Sequence, residues 1–333
     1  LQYNSLGGNG PLGLGWSLQG LSAITRIGRT RAQDETVTAT NQTKSVALNV
    51  SYTKEDRYSL DGNRLVLAPE SILANQRLDL NYGVDQTVYY TEQQVFTKVI
   101  LYENSITGAP QYFRAYTKSG LIIEYGNTDN SRVTDPIKQV GTQWLVNRIE
   151  DRKGNYKTFT YLRDDQTGEY LPESILYTGN AAANLSPYNK ILFIYESRAD
   201  VATLYGLRFQ QKSSLTRRLK TIQVLAQNTL IRQYHLAYQV NRYSQLTSVT
   251  ECDGAGNCFS PTTFQWQNTT GAPGNAVALS NTPTKLMGDF NGDGLLDYVN
   301  FQKIVTPYAV GQWSVTTIYQ FVINNGQGSF NFA

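Results

Sequence analysis

Histidine and methionine are almost missing from this chain, with one of each in 333 residues. A single imidazole, His235, cannot supply a His-Glu-x-x-His zinc site, and the residues beside it offer no serine or cysteine nucleophile. No nucleophile elbow and no phosphate-binding loop occurs either. No run of about 18 apolar residues exists to cross a bilayer as a helix. The 29 basic and 26 acidic residues are interspersed, leaving a net charge of +3 and no Lys/Arg stripe, so nucleic acid is excluded as an expected partner. Cysteine is confined to Glu251-Cys-Asp-Gly-Ala-Gly-Asn-Cys258, and two sulfurs alone do not make a zinc site. The start, Leu1-Gln2-Tyr3-Asn4, has neither Met nor the charged and apolar regions of a signal peptide, which suggests a fragment whose targeting signal is missing.

What remains is strand-forming and turn-forming material. The chain carries 23 Tyr and 27 Gly, only 17% charged residues and 40% hydrophobic ones. That composition favours strands and tight turns over helices. Strand-like runs alternate with Asp-Gly, Gly-Asn or Ser-Gly pairs, the strongest local hairpin signals. Asp61-Gly-Asn63 precedes Arg64-Leu-Val-Leu67, Ser119-Gly120 joins two strands, and Gly154-Asn155 joins two more. Further strands are expected at Lys190-Ile-Leu-Phe-Ile-Tyr195, Leu219-Lys-Thr-Ile-Gln-Val224 and Arg232-Gln-Tyr-His-Leu-Ala-Tyr238, the last with Tyr234, Leu236 and Tyr238 on one face and His235 on the other. Such spacing predicts antiparallel meanders. Residues 170–190, with Asn180-Ala-Ala-Ala-Asn184 and Pro187, are expected to form a long surface loop. The glycines of Gly7-Gly-Asn-Gly-Pro-Leu-Gly-Leu-Gly-Trp16 lead into a strand rather than a helix, so they are expected to shape the backbone rather than bind phosphate.

Two elements could carry chemistry. Five residues with two Gly separate Cys252 from Cys258, close enough for a hairpin disulfide, with two free thiols as the alternative. A disulfide there would suit an oxidising compartment. The second element is Asp289-Phe-Asn-Gly-Asp-Gly-Leu-Leu-Asp297, which sets oxygen donors at alternate positions of a glycine-bent loop. That pattern predicts a structural Ca2+ site held by the side chains of Asp289, Asn291, Asp293 and Asp297 and the carbonyl of Leu295. Position twelve is Asn300 rather than Glu and strand material follows, so this is not a helical calcium hand; an acidic turn without metal is the alternative. The four tryptophans and many tyrosines would suit a glycan-stacking face, although core packing explains them with fewer assumptions. Widely separated carboxylates that meet in the fold are the remaining hydrolase reading.

Taken together, Gly7-Gly-Asn-Gly-Pro-Leu-Gly-Leu-Gly-Trp-Ser17, Ile24-Thr-Arg-Ile27 and Asp56-Arg-Tyr-Ser-Leu-Asp-Gly-Asn-Arg-Leu-Val-Leu67 resemble the SpvB-type amino-terminal domain. That domain opens bacterial virulence proteins and the B subunits of insecticidal toxin complexes. The similarity continues through Lys118-Ser-Gly-Leu-Ile-Ile-Glu-Tyr-Gly126, Asp151-Arg-Lys-Gly-Asn155 and Cys258-Phe-Ser-Pro-Thr-Thr-Phe-Gln-Trp266. The tail, Gly288-Asp-Phe-Asn-Gly-Asp-Gly-Leu-Leu-Asp297 followed by Asn324-Asn-Gly-Gln-Gly-Ser-Phe330, resembles an FG-GAP or VCBS repeat, which in that family is a propeller blade with a calcium loop. A single blade implies that the natural protein continues past Ala333. The expected organisation is therefore all-β: an SpvB-like antiparallel meander or shell over residues 1–267, a linker at 268–283, and the start of a β-propeller at 284–333.

The resemblance implies a secreted or cell-surface bacterial protein of the toxin-complex, Rhs and YD-repeat kind. Its relatives build a hollow β-shell around a cytotoxic fragment, so the implied partners are other subunits or later regions of a shell and an encapsulated toxin fragment. No catalytic residue is implied. A Glu-x-Glu element of the ADP-ribosyltransferase type is missing, and the self-cleavage site of Rhs shells has no counterpart. The rival reading is an extracellular adhesin or glycan-binding β-module.

The metal assignment makes a direct prediction. Calcium is expected to raise the melting temperature of the natural full-length protein, chelator to reverse the rise, and Asp293→Ala to abolish it. A melting curve indifferent to calcium would sink the assignment.

Overall fold

The computed structural model describes residues 1–30, 36–37, 43–44, 49–69, 82–135, 138–205, 212–266, 285–288, 297–309, 312–324 and 330–332. The chain divides into two compact units, Leu1–Trp266 and Gln267–Ala333. Among the described residues the fold is all-β, with a short 3-10 turn at Asp129–Ser131.

Eight antiparallel strands of the first unit close into a barrel-like ring: β1 Ala23–Ile27, β2 Arg57–Leu60, β3 Asn63–Leu67, β4 Val88–Thr91, β5 Lys98–Glu103, β6 Pro110–Tyr116, β7 Ile122–Tyr125 and β8 Gly141–Glu150. Hairpins make most of the ring. The Ser119-Gly120 turn, for example, sets Tyr116 opposite Ile122 and Phe113 opposite Tyr125. Closure is long-range, because β8 pairs with β7 through Ile149 and Ile123 and with β1 through Trp144 and Ile24. A closed ring leaves no edge for a foreign strand to extend.

Side chains of alternate positions fill the ring. Trp144 is wholly buried, with its ring centroid 5.0 Å from Phe113 and 5.6 Å from Tyr58, both edge-on, and its Nε1 donates to the Gln111 carbonyl at 3.1 Å. Tyr58 stacks on Tyr82 at 5.7 Å, and the Tyr82 hydroxyl donates to the Leu65 carbonyl and accepts from the Tyr58 N–H. Burial pushes the Tyr58 phenol up to about 12, so it stays neutral. A charge also lies inside. Arg26 is 2% exposed, pairs with Asp56 at 3.0 Å, and donates to the carbonyls of Gly141 and Thr53. Its guanidinium lies over the Tyr58 and Trp144 rings.

From the second half of β8 the chain continues as an antiparallel sheet: β9 Asn155–Asp164, β10 Glu169–Asn180, β11 Asn189–Tyr205, β12 Lys212–Ala226, β13 Thr229–Val240 and β14 Ser244–Asp253, edged by Thr262–Thr263. Leu236 is buried and Tyr238 packs beside it, while His235 is exposed on the other face. Residues 170–190 do not form the long loop expected. β10 runs through Asn180, and the Asn180–Leu185 bridge closes a short turn. Pro172, which argues against a strand, is tolerated because it sits at a register shift opposite Tyr161.

In the second unit, β15 Lys285–Gly288, β16 Asp297–Ala309, β17 Gln312–Asn324 and β18 Phe330–Phe332 form a four-stranded antiparallel meander in that order.

Trp144 fits only because two glycines flank it. A Cβ on Gly126, whose φ is +73°, would lie 2.2 Å from the indole, and one on Gly141 would lie 2.7 Å from it. Trp144→Ala is expected to destabilise the first unit by about 3–5 kcal/mol through the cavity left behind. Gly126→Ala should cost at least about 1–2 kcal/mol from its left-handed backbone alone. Urea unfolding of both variants checks this; a midpoint unchanged in Gly126→Ala would refute the packing account.

Candidate functional site

The glycine-rich opening docks on the second sheet. Residues 9–10 and 13–14 form a tiny hairpin whose tip inserts Leu12, 1% exposed, among Phe193, Leu219, Leu236 and Leu246. The Leu219 N–H donates to the Pro11 carbonyl at 2.7 Å. Gly13, at φ +82°, approaches β14 so closely that a Cβ would lie 2.4 Å from the Ser244 carbonyl oxygen. Glycine there is a demand of backbone approach, and no phosphate loop is formed.

A buried polar cluster locks this hairpin down. Asp200 accepts from the Ser244 N–H and hydroxyl at 2.5 Å each, from Arg198 at 2.7 and 3.1 Å, and from the Asn9 amide at 3.1 Å. Arg198 also donates to the Gly10 carbonyl at 2.9 Å and to Asn9 Oδ1 at 2.6 Å. Side-chain exposure is 0% for Arg198 and 6% for Asp200, so the charges meet each other rather than water. Arg198 and Asp200 occupy an irregular stretch of β11, between Ser197 and Ala202, that aims both side chains at the hairpin. Burial alone would raise the pKa of Asp200, but hydrogen bonds from Arg198, Ser244 and Asn9 outweigh it and hold the carboxyl well below the usual range.

Two further buried carboxylates, those of Asp56 and Glu169, are equally committed. Both oxygens of Asp56 accept, from Ser51, Tyr52 and Arg26, and both oxygens of Glu169 accept, from Thr216 and Arg217. Acids saturated in this way fix chain crossings; they are poor proton shuttles. A cavity of about 500 Å³ beside the hairpin, lined by Asn4, Gly8, Leu12, Trp16, Leu21 and Pro172 among others, has no ionisable side chain in its wall. His235 lies 3.4 Å from the Thr221 hydroxyl on the exposed sheet face.

The predicted site residues separate into two groups. Asp289, Asn291, Asp293 and Leu295 lie outside the described residues, whereas Asp297 opens β16 directly opposite Gly288 at the end of β15. The proposed ligand loop thus spans the two ends of one strand pair. Among the described residues no group of three or more His, Cys, Asp or Glu could hold a metal ion. Cys252 and Cys258 are joined by a disulfide across the turn after β14. Among the described side chains the tryptophans do not form a common face: Trp144 fills the barrel, and Trp16 and Trp266 are half-buried against Phe264 and Tyr3, while the Trp313 side chain lies outside the described ones. Sequence reasoning missed the Arg198–Asp200 lock. Its only local trace is Tyr195-Glu-Ser-Arg198, which gives no hint of partners nearly 190 residues away.

The lock predicts an acid-sensitive stability. Because the folded pKa of Asp200 is depressed, its contribution is complete above the unfolded value of about 3.9 and is lost as pH falls below it. Asp200→Asn should cost about 3–5 kcal/mol at neutral pH by leaving Arg198 buried with its charge uncompensated, and should flatten the acid limb. Denaturant midpoints between about pH 2 and 7 test both halves; an unaltered acid limb in the variant would contradict the assignment.

Residues 1–193 match the sequence family described as SpvB, Salmonella virulence plasmid 65kDa B protein. No curated protein matches the chain. Among solved structures, the N-terminal domain of effector protein SpvB from Salmonella typhimurium strain LT2 matches at TM-score 0.58 and 18% identity, over 75% of this chain and 92% of that one. The TcdB2-TccC3-Cdc42 structure matches at TM-score 0.63 and 17% identity, over 98% of this chain and 18% of that one. A Tc holotoxin pore from Photorhabdus luminescens matches at TM-score 0.64 and 16% identity, over 97% of this chain and 19% of that one. The chain therefore corresponds to less than a fifth of the Tc chains, which share its fold. With the family's pattern running through more than half of its length, the chain belongs to the SpvB family.

Proposed function

We propose that this chain is a non-catalytic, wall-forming region of a secreted bacterial toxin of the toxin-complex or Rhs type, acting as scaffold rather than as enzyme. The observation that carries the reading is the fold match over 98% of the chain to a short stretch of a Tc assembly, together with membership of the SpvB family. The physical design supports it. A closed ring flowing into a broad antiparallel sheet through one shared strand makes a continuous, self-paired surface, which suits a wall around cargo. The carboxylates of Asp56, Glu169 and Asp200 are tied up in structural bonds, and the cavity beside the hairpin has no ionisable side chain in its wall, which suits a scaffold better than a hydrolase.

In this reading the second unit begins a propeller of FG-GAP or VCBS blades. A four-stranded antiparallel meander is what one blade requires, and the loop carrying Asp289, Asn291, Asp293, Leu295 and Asp297 joins its first two strands. Calcium there would relieve the mutual repulsion of the carboxylates and hold the hairpin. The partners are later shell regions or sister subunits and an enclosed toxin fragment, in an extracellular setting.

The test uses the natural full-length protein. Electron microscopy should show a hollow particle, and limited proteolysis should leave one internal polypeptide intact until the shell is unfolded. A solid particle with no protected fragment would overturn the encapsulation reading, and calcium-dependent retention on immobilised glycans in that case would favour an adhesin.

A further inference from the structure

The disulfide hairpin has a counterpart elsewhere in the same unit. Residues 151–155, Asp-Arg-Lys-Gly-Asn, and residues 253–257, Asp-Gly-Ala-Gly-Asn, form the same turn with the same five bonds. In the first, Asp151 Oδ1 accepts from the N–H groups of Lys153 and Asn155, its Oδ2 accepts from Asn155 Nδ2, and two backbone bonds close the loop. In the second, Asp253 Oδ1 accepts from Ala255 and Asn257, Oδ2 from Asn257 Nδ2, and the same two backbone bonds recur. The residues facing each other across the first turn are Glu150 and Tyr156; across the second they are Cys252 and Cys258.

The first turn shows that this geometry forms without a crosslink. The strand after the second turn is also held independently: the Phe259 N–H donates to the Glu251 carbonyl at 2.9 Å, Thr262 and Thr263 pair with Val249 and Ser248, and Trp266 Nε1 donates to the Leu246 carbonyl at 2.7 Å. The two sulfurs are unequal in access. Cys252 is 1% exposed, whereas Cys258 lies on the surface.

We propose that Cys252–Cys258 is a reversible thiol–disulfide exchange site for small thiols of the glutathione class, with Cys258 as the sulfur attacked. An incoming thiolate forms a bond to Cys258 Sγ while the Cys252–Cys258 bond breaks, and Cys252 Sγ leaves as a thiolate that takes up a proton. A second thiolate then displaces Cys258 from the mixed disulfide, giving the oxidised small-molecule disulfide and two protein thiols. Because the turn survives, the thiols stay on residues that face each other across one hairpin, and the crosslink re-forms when the reductant is withdrawn and an oxidised disulfide of the same class is supplied. Access decides the direction of attack, since an external thiolate reaches Cys258 without opening the sheet.

The test is applied to the oxidised full-length protein. After brief exposure to reduced glutathione and quenching in acid, peptide mass spectrometry should place the glutathione adduct on Cys258 in about ten-fold excess over Cys252. Hydrogen exchange across residues 246–266 should change by less than about two-fold on reduction, and oxidised glutathione should restore the crosslink. An adduct shared equally or centred on Cys252, or loss of amide protection through this segment, would overturn the proposal. Asp253→Ala supplies a second arm, because it removes the turn that holds the reduced thiols together. In that variant reduction should release the segment and slow reoxidation; behaviour identical to the parent would refute the part assigned to the turn.

Discussion

Strand β8 must satisfy its backbone on both sides while belonging to two sheets. Its first half lies against β1 and closes the ring; its second half lies against β7 on one side and starts the open sheet with β9 on the other. The short strand Arg132–Thr134 pairs with the other side of that first half, opposite Trp144, Gln143 and Gly141, so both sides of the strand carry partners. The side chain that makes this sharing work is Trp144, set midway along the strand. Its indole spans the ring interior between Gly126 and Gly141 and touches Phe113 and Tyr58 on the facing walls. A smaller side chain would leave the ring half empty, and a Cβ at either glycine would push the strand away from its partner.

Both halves of the first unit use the same means to fix distant chain segments, a buried arginine whose guanidinium bonds to several of them at once. Arg26 ties β1 to Asp56, Thr53 and Gly141. Arg198 ties β11 to Asp200, Asn9 and Gly10. Burying such pairs gains little net stability, because desolvation offsets the attraction. The gain lies in discrimination: a shifted register would strand a charge in an apolar interior, a much larger penalty than a misplaced leucine. Apolar alternation alone would tolerate many pairings among so many similar strands, and these two arginines select one.

That division explains what could be read from the sequence. The hairpins were legible because their determinants are local, as in Ser119-Gly120 and Gly154-Asn155, and the all-β class followed from them. Ring closure was not legible, since β1 and β8 meet across more than 110 residues and nothing local marks the pairing. Arg26 misleads in the same way. In Ala23-Ile-Thr-Arg-Ile27 the residue sharing the inward face with Ile24 is the arginine, while Ile27 falls on the other side, so a binary pattern assigns the charge to solvent. The long loop expected over 170–190 from Asn180-Ala-Ala-Ala-Asn184 and Pro187 overlooked β10, whose own Pro172 is a strand breaker accommodated at a bulge. The acidic loop carries its signal wholly in residues 289–297, and only the strand ends that frame it, Gly288 and Asp297, bear on it structurally.

The repeated Asp-x-x-Gly-Asn turn shows how local and long-range constraints combine. At residues 151–155 the turn joins β8 to β9, where β8 is clamped by the ring, so the hairpin is supported from outside and needs no crosslink. At residues 253–257 it lies beyond the last long strand, where the chain that follows contributes only a two-residue pairing, Thr262–Thr263, to the sheet. Fewer neighbours there mean that opening the hairpin disturbs less of the molecule. The covalent bond crosses a hairpin tied to the sheet by a two-residue pairing and a few single hydrogen bonds, and under the proposed exchange the carboxylate turn beneath it keeps the local geometry. A hairpin built in this way can exchange its crosslink without passing the change on to the barrel, because the segments that fix the barrel, β1, β8 and the Arg26–Asp56 pair, make no bond to it.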